Sequence, residues 1–349
     1  MSMEPDNRIA HTRDGVADLL KGAAVLFMIM IHLFENFATA SLMTGHVGSA
    51  AFFMGGLPAA PVFMAVMGYY LARSRKGLQQ QVIRGFSIVI LGLVLNIVRS
   101  VVFLTDSSLS QDDFFQILFG VDILPLAGMS IIILGFIHTS KHRIVIATST
   151  IPVTILLQEA LSRIPDTTVP LAYLQGFFFG SFEWSYFPLF PWILYPLSGY
   201  WFFLVVQRYR HIVTSTTMEN IALVAAIVVT ATFSYGWKIS IHLPYYYHHD
   251  WVYFFWGVLF LLAYAWIMVR LDSGFGGAGV LRLIKWVGKN VTSFYVVQWI
   301  IIGNLSYWLY RSMELEAILL AFAVITVLSG GIVFLWEKMR AGFATGPQK

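Results

Sequence analysis

The chain has 349 residues, of which 58% are hydrophobic, 16% aromatic and only 11% charged. Soluble domains carry charge on about 25% of their residues, so this composition excludes an ordinary soluble domain and predicts a membrane protein. Cysteine is absent, which excludes disulfides and thiolate chemistry. The net charge of +4 is informative through its distribution over the loops of a membrane protein, and we expect no nucleic-acid partner.

Apolar runs of about 20 residues recur along the chain, and each is long enough to cross a hydrocarbon core of about 30 Å as a helix. They predict one all-α membrane domain over residues 1–349, a polytopic bundle of about ten transmembrane helices. The predicted spans are 17–39, 50–72, 83–104, 115–137, 143–161, 187–206, 219–241, 251–270, 287–310 and 316–336. We expect residues 165–185 to form a re-entrant or interfacial segment outside the membrane and not an eleventh span.

Basic residues predict the orientation of these spans. With a cytoplasmic N-terminus, the outer side keeps four of the 22 lysines and arginines, which leaves eighteen inside. Because cytoplasmic loops carry an excess of basic residues, both termini are predicted to be cytoplasmic. The inner residues are Arg8, Arg13, Lys21, Arg73, Arg75, Lys76, Arg84, Lys141, Arg143, Arg208, Arg210, Arg270, Arg282, Lys285, Lys289, Lys338, Arg340 and Lys349, and the outer ones are Arg99, Arg163, Lys238 and Arg311.

The first span, in the stretch "KGAAVLFMIMIHLFENF", has an imidazole near its middle, at His32, and a carboxylate one turn later, at Glu35. An ionisable group there costs about 2.5–3.5 kcal/mol on insertion scales, so such groups usually face a cavity or a partner. Glu35 lies on the same face and could hold one imidazole nitrogen, which prepares the other as a general base. A buried histidine satisfied by a neighbouring helix is the alternative interpretation.

A group of charged residues lies near the predicted inner face. Asp18 and Lys21 are three residues apart at the start of the first span, and the basic residues Arg73, Arg75, Lys76 and Arg84 lie on the same side. These charges could form a cationic mouth for a phosphate-bearing ligand. A solvated helix start with a snorkelling lysine would give the same pattern.

Further polar side chains interrupt later spans, at Asn96, Asp122 and Gln298. Asn and Gln within membrane helices usually form interhelical hydrogen bonds. Asp122 is harder to explain structurally, and Pro125 after it predicts a helix kinked toward a cavity.

The outer segment "HLPYYYHHD" contains Tyr246 and His248. Its histidines lack the HxxxH spacing of a helical zinc site, so no metal is expected. An interfacial tyrosine belt is one interpretation, and contact with a sugar acceptor is the other.

Four segments in order resemble the transmembrane acyltransferase superfamily. "ADLLKGAAVLFMIMIH" is similar to its first helix, through Asp18, Lys21, Gly22 and His32, and "LPAAPVFMAVMGYYLARSR" at 57–75 is similar to its second. "YFPLFPWILYPLSGYWF" at 186–202, with Trp192, resembles the bacterial branch related to the heparan-alpha-glucosaminide N-acetyltransferase catalytic domain. "WVGKNVTSFYVVQW" at 286–299 resembles a late helix of the superfamily, and the chain is also similar to acyltransferase family 3.

This resemblance implies an enzyme of the bacterial inner membrane. It would transfer an acyl group, usually acetyl, from cytoplasmic acyl-CoA to a hydroxyl or amine of a glycan or lipid-linked saccharide acceptor on the far side, in contact with membrane lipid. Lys21 stands where many members have arginine, and Gln298 where many have histidine, so a role of that histidine does not carry over.

The resemblance predicts roles for individual residues. His32 would be the base, with Glu35 orienting it, Asn96 steadying the oxyanion and His46 as an alternative base. Asp18, Lys21, Arg73, Arg75, Lys76 and Arg84 would bind acyl-CoA, and Asp122, Trp192, Tyr246, His248 and Gln298 would bind the acceptor. A transporter or flippase for a glycan or lipid would also have about ten spans with charges inside the membrane.

Overall fold

A computed structural model describes residues 15–344 of the chain, with side chains for residues 15–341; Arg8, Arg13 and Lys349 lie outside these residues. Nineteen helices occur in the described part. They are α1 Gly15–Phe37, α2 Ala40–Thr44, α3 His46–Gly56, α4 Ala60–Ala72, α5 Leu78–Val98, α6 Val101–Leu104, α7 Gln111–Leu118, α8 Ile123–Thr139, α9 Arg143–Leu161, α10 Leu171–Phe178, α11 Leu189–Trp192, α12 Leu194–Arg208, α13 Ser215–Ala231, α14 Phe233–Ser240, α15 Leu243–Tyr247, α16 Trp251–Phe275, α17 Gly279–Lys289, α18 Val291–Leu309 and α19 Leu315–Ala344.

The prediction of an all-helical membrane protein is confirmed over these residues, where β pairing is limited to two isolated bridges. Seven helical segments are long and apolar enough to cross a membrane, or eight if α13 and α14, which meet at a bend of 71°, form one span. Each of the ten predicted spans overlaps a helix or a helix pair. The number ten stays a prediction, since α8 has only 17 residues and α18 is not among the seven.

Helix α1 lies at the centre of the bundle. It packs against α3, α4, α16, α17, α18 and α19. Many of its apolar residues are buried, and Ala24, Val25, Ile29 and Leu33 are fully so. A helix that is apolar on all sides packs best when surrounded by other helices, which explains why the most apolar early segment forms the core.

Glycines allow the closest helix crossings. A Cβ on Gly68 of α4 would collide with the backbone carbonyl of Pro196, and a Cβ on Gly199 of α12 would collide with that of Ala65. Small residues at such crossings let two helix backbones approach within van der Waals contact. The crossing fixes α4 and α12 relative to each other.

Contacts between helix ends divide the bundle into a basic end and a distal end. Lys21 lies over the ring of Tyr70 at 5.6 Å, and Arg73 lies over the same ring, also at 5.6 Å. The His138 imidazole bonds the carbonyl oxygen of Ser74 at 2.9 Å, which places the end of α8 beside that of α4. Other pairs at the basic end are Lys285 with Asp272, Arg270 with Glu219, and Trp201 with Thr148.

The distal end holds the end of α1. Met313 donates its backbone N–H to Phe37 at 2.8 Å, and Thr39 donates to Met313 at 3.0 Å. The predicted inner segments that the structure describes thus gather at the basic end. Which end faces the cytoplasm remains a prediction from the basic residues.

Two predictions concern the region from 111 to 185, namely a kink after Asp122 and a segment outside the membrane at 165–185. The predicted kink after Asp122 is wrong: Asp122 is the N-cap of α8, and its Oδ1 accepts the Ile123 N–H at 2.7 Å. Pro125 then lies in the first turn, where a missing N–H costs nothing. Helix α10, within the segment 165–185, has eight residues, about 12 Å of helix, which is too short to cross a bilayer.

Candidate functional site

A cavity of about 510 Å³ opens between α1 and the helices around it, on the distal side of His32. Ligand sites typically have volumes of about 300–1,000 Å³, so this one could hold a small molecule. Aromatic rings and four charged side chains dominate its wall. The lining includes His32, Glu35, Asn36, Phe63, Arg99, Asp122, Tyr186, Phe187, Tyr246, Tyr247, Tyr295, Trp299 and Arg311.

The hydrogen bonds of Gln298 assign the tautomer of His32. Gln298 is fully buried, and its Nε2 donates to the Tyr295 carbonyl at 3.1 Å. Its Oε1 therefore faces the His32 Nδ1, at 3.1 Å, and because this oxygen can only accept, Nδ1 carries the proton of the neutral ring. No hydrogen bond to Nε2 occurs among the described residues, so the lone pair of this nitrogen is available in the cavity wall.

An indole and an ion pair lie beside the imidazole. The His32 ring stacks on Trp299 with ring centroids 3.9 Å apart, and the Arg99 guanidinium lies 4.3 Å from the Trp299 ring. Arg99 Nη1 donates to Asp122 Oδ2 at 2.7 Å. Arg99 is positioned at the C-cap of α5 and Asp122 at the N-cap of α8, so two helix ends hold the pair at the cavity.

Glu35 lies in the same cavity but is not hydrogen-bonded to His32. Its Oε1 accepts the hydroxyl of Tyr247 at 3.0 Å. Trp192 is buried behind this pair, and its Nε1 donates to the Tyr247 carbonyl at 2.7 Å. The residue that orients His32 is therefore Gln298, and not Glu35 as expected. Trp192 contacts the cavity-lining residue Tyr247 and does not itself line the cavity.

Other predicted residues occupy different places. Asn96 is buried, and its Nδ2 donates to the carbonyls of Leu118 at 3.3 Å and Gly120 at 2.8 Å, so its donors are already used. His46 is exposed at the first turn of α3 and does not line the cavity.

Only part of the segment "HLPYYYHHD" lies at the cavity. Tyr246 lines the cavity, whereas His248 does not. Burial lowers the pKa of the His248 imidazole, and the charge of Asp166 partly opposes that shift.

The predicted acyl-CoA residues lie at the basic end, apart from the cavity. Lys21 forms an ion pair with Asp18 at 2.8 Å. Arg75, Lys76 and Arg84 are exposed. None of these residues lines the cavity, whose wall on α1 begins at Met28, seven residues or about 10 Å beyond Lys21.

The structure adds residues that sequence reasoning did not assign to the site: Arg99, Trp299, Tyr247, Tyr186, Tyr295 and Arg311. Arg99 carried a usable signal, because it is a charged residue at the end of a predicted span. The aromatic residues carried none, since the chain contains 56 of them, 29 Phe, 16 Tyr and 11 Trp, and only packing selects those at the cavity.

Comparison with known families identifies the chain. A family model described as Heparan-alpha-glucosaminide N-acetyltransferase, catalytic, matches residues 13–232, more than half of the chain. No curated protein and no solved structure matches it. The matched region contains His32, Glu35, Arg99 and Asp122, while Gln298 and the other residues contributed by α18 lie beyond it. The predicted resemblance is confirmed, and the chain belongs to the family of heparan-alpha-glucosaminide N-acetyltransferase catalytic domains.

Proposed function

We propose that this protein transfers an acyl group, acetyl as in the name of its family, from acyl-CoA to a hydroxyl or amine of a saccharide acceptor, with His32 as the general base. The observation that carries the proposal is the position of His32 in the wall of an aromatic-lined cavity, with its Nδ1 facing Gln298 and its Nε2 without a hydrogen-bond partner among the described residues. A base needs an available lone pair and room for the group whose proton it removes.

The acceptor enters the cavity from the distal end, where the wall is rich in tyrosine. Tyr186, Tyr246 and Tyr247 offer rings and hydroxyl groups, as ligand sites for polar molecules require. In the predicted orientation this end faces the outside of a bacterial inner membrane. The acceptor is then a glycan or a lipid-linked saccharide.

The donor binds at the basic end, with its phosphates near Lys21 and Arg73. The side chains of α1 and α4 fill the space between that end and the cavity: on α4, Tyr70 at the basic end and Phe63 at the cavity are seven residues apart, about 10 Å. The pantetheine arm must therefore part these helices to bring the thioester to His32. Exposed Arg75, Lys76 and Arg84 would attract the anionic donor.

The transfer conserves atoms and protons. His32 Nε2 removes the proton of the acceptor O–H or N–H as the acceptor atom bonds the thioester carbonyl carbon. Arg99 stabilises the resulting oxyanion. Its Nη1 is ion-paired with Asp122. The C–S bond then breaks, and the CoA sulfur receives the proton from the imidazolium, which yields an ester or amide and free CoA.

The test is acyl transfer by purified His32→Ala. Loss of a general base lowers the rate by about 10²–10⁴-fold. The variant should release CoA thiol from acetyl-CoA at such a reduced rate in the presence of a saccharide acceptor mixture, and should still bind acetyl-CoA. His242→Ala, an exposed histidine of the distal end, is the matched control and should keep the wild-type rate.

Two results would contradict this assignment. A folded His32→Ala protein that transfers acyl groups at the wild-type rate would exclude His32 as the general base. Loss of transfer in His46→Ala alone would assign the role of general base to His46. The transporter alternative predicts no binding of acetyl-CoA and no thiol release by the wild type, so the same assay separates the two functions.

A further inference from the structure

Arg311 has an unusual backbone conformation at the mouth of the cavity. Its φ is +54°, in the left-handed region that glycine and asparagine adopt with little strain and other residues rarely occupy. The end of α1 enforces this conformation: the Arg311 N–H donates to the Asn36 carbonyl at 3.1 Å, and the Met313 N–H donates to the Phe37 carbonyl. A strained residue held by its surroundings at a cavity indicates a function for its side chain.

Arg311 lines the cavity, and its guanidinium has no ion-pair partner among the described residues. It lies 5.2 Å from the ring of its neighbour Tyr310, and within residues 15–341 no carboxylate is at ion-pair distance from it. The second guanidinium in the wall, that of Arg99, is neutralised by Asp122. Among the described residues that line the cavity, Arg311 is thus the cation whose charge remains available to a ligand.

The position of Arg311 relates it to the reacting group. Its backbone is bonded to Asn36, which also lines the cavity and lies one helical turn, about 6 Å, beyond His32. A ligand that presents a hydroxyl or amine to His32 would therefore have its next substituents near Arg311. Tyr186 and Tyr247 lie in the same wall and provide surfaces for a sugar ring.

We propose that Arg311 binds an oxyanion, a phosphate or a carboxylate, carried by the saccharide acceptor, so that the site selects acidic sugars over neutral ones. This inference rests on the proposed function, whose acceptor class it narrows. A guanidinium donates two parallel hydrogen bonds to either oxyanion, and such bonds are stronger than those between neutral groups. Glu35 lines the same cavity, so neutralisation of the Glu35 carboxylate is the competing role for Arg311 that a test must separate.

The test is binding of small sugars to the purified full chain without acyl-CoA. The probes are glucose, glucose 1-phosphate, glucuronate and inorganic phosphate, measured by equilibrium dialysis with the wild type, Arg311→Asn and Arg163→Gln. Asn tolerates the positive φ, so Arg311→Asn removes the charge without a folding penalty at this turn. Arg163 is exposed and paired with Glu159 at the distal end, which makes Arg163→Gln the matched control.

The wild type should bind glucose 1-phosphate, glucuronate or both about tenfold to a hundredfold more tightly than glucose, as expected for charge-assisted hydrogen bonds. Arg311→Asn should lose this preference and Arg163→Gln should keep it. The acid that shows the preference identifies the oxyanion. Equal binding of charged and neutral sugars by the wild type, or a preference that survives in Arg311→Asn, would overturn the inference.

Two further outcomes separate the causes. Inorganic phosphate that binds as tightly as glucose 1-phosphate would overturn the assignment to a saccharide. If Arg311 serves only to neutralise Glu35, Arg311→Asn would weaken the binding of glucose and of glucuronate to the same extent. That result would also overturn the inference. Because no donor is present, a failed acyl-transfer assay would count against the proposed function alone.

Discussion

Gln298 decides the chemistry that His32 can perform. An isolated imidazole can carry its proton on either nitrogen, but the amide of Gln298 has its nitrogen on the Tyr295 carbonyl and offers only an oxygen to His32. The proton is held on Nδ1, and Nε2 is left to accept one. Under the proposed function Gln298 is therefore a positioning residue, whereas Glu35 is hydrogen-bonded to Tyr247.

Substitution of Gln298 tests this role. Gln298→Leu removes the acceptor for the Nδ1 proton, so we expect kcat to fall about tenfold to a hundredfold, the equivalent of one strong hydrogen bond, with KM for acetyl-CoA unchanged. Gln298→Glu keeps an acceptor oxygen and should recover part of the loss. Equal kcat in Gln298→Leu and wild type would show that the amide does not orient the base.

The ion pair of Arg99 and Asp122 gives a stability prediction. Asp122→Leu leaves the Arg99 charge buried without its partner and also removes the N-cap of α8, so we expect a loss of about 3–5 kcal/mol in the free energy of unfolding. The double variant Arg99→Met with Asp122→Leu should lose less than the sum of the two single variants. Denaturation of the purified protein in detergent measures all three, and strict additivity would argue against a coupled pair.

At the scale of the helix, α1 performs two tasks because of its burial. Its middle places His32 in the cavity wall, and its end fixes the strained turn at Arg311 through the Asn36 and Phe37 carbonyls. Both tasks need a rigid helix, and the packing of α3, α4, α16, α17, α18 and α19 around it supplies the rigidity. The helix that carries His32 is also the most buried of the candidate spans in the described part of the chain.

The crossing of α4 and α12 gives a prediction for a helix pair. Gly68→Ala places a methyl group on the Pro196 carbonyl, which cannot rotate away, so the helices must separate at a cost of about 1–3 kcal/mol. Gly331→Ala in α19 is the matched control: nothing lies within 4 Å of its Cβ position, and alanine favours a helix over glycine by about 1 kcal/mol. The melting temperature should fall for Gly68→Ala and rise or stay unchanged for Gly331→Ala, and equal shifts would contradict the close crossing.

At the scale of the whole molecule, basic residues and the cavity lie toward opposite ends. Lys21 and Arg73 lie at the basic end, while the cavity extends from His32 toward Arg311. An enzyme that takes a donor from one side of a membrane and an acceptor from the other needs such a separation. Under the proposed function, the donor and the acceptor would meet near the middle of the bundle, between α1 and α4.

The orientation can be measured with single cysteines, because the chain has none of its own. Ser107→Cys and Thr168→Cys, at exposed positions of the distal end, should react with an impermeant maleimide in intact cells. Arg210→Cys, exposed at the basic end, should react only after permeabilisation, since positively charged loops remain in the cytoplasm. The reverse pattern would invert the proposed directions of donor and acceptor, and opposite labelling of Ser107→Cys and Thr168→Cys would indicate a crossing between them.

The sequence by itself determined the membrane class, the all-helical fold and the family, and it predicted His32 as a candidate site residue, because these follow from apolar length, from the cost of a buried imidazole and from motifs that are local in the chain. Only the tertiary structure decided which partner His32 has, where the cavity lies and what Arg311 can do. Gln298 is 266 residues from His32, and Asn36 meets Arg311 across a similar separation. Such contacts arise from helix packing, which composition and spacing along one chain do not encode in a readable form. The error at Asp122 has the same origin, since a carboxylate that caps the start of a helix looks, in sequence alone, like a charge inside a span.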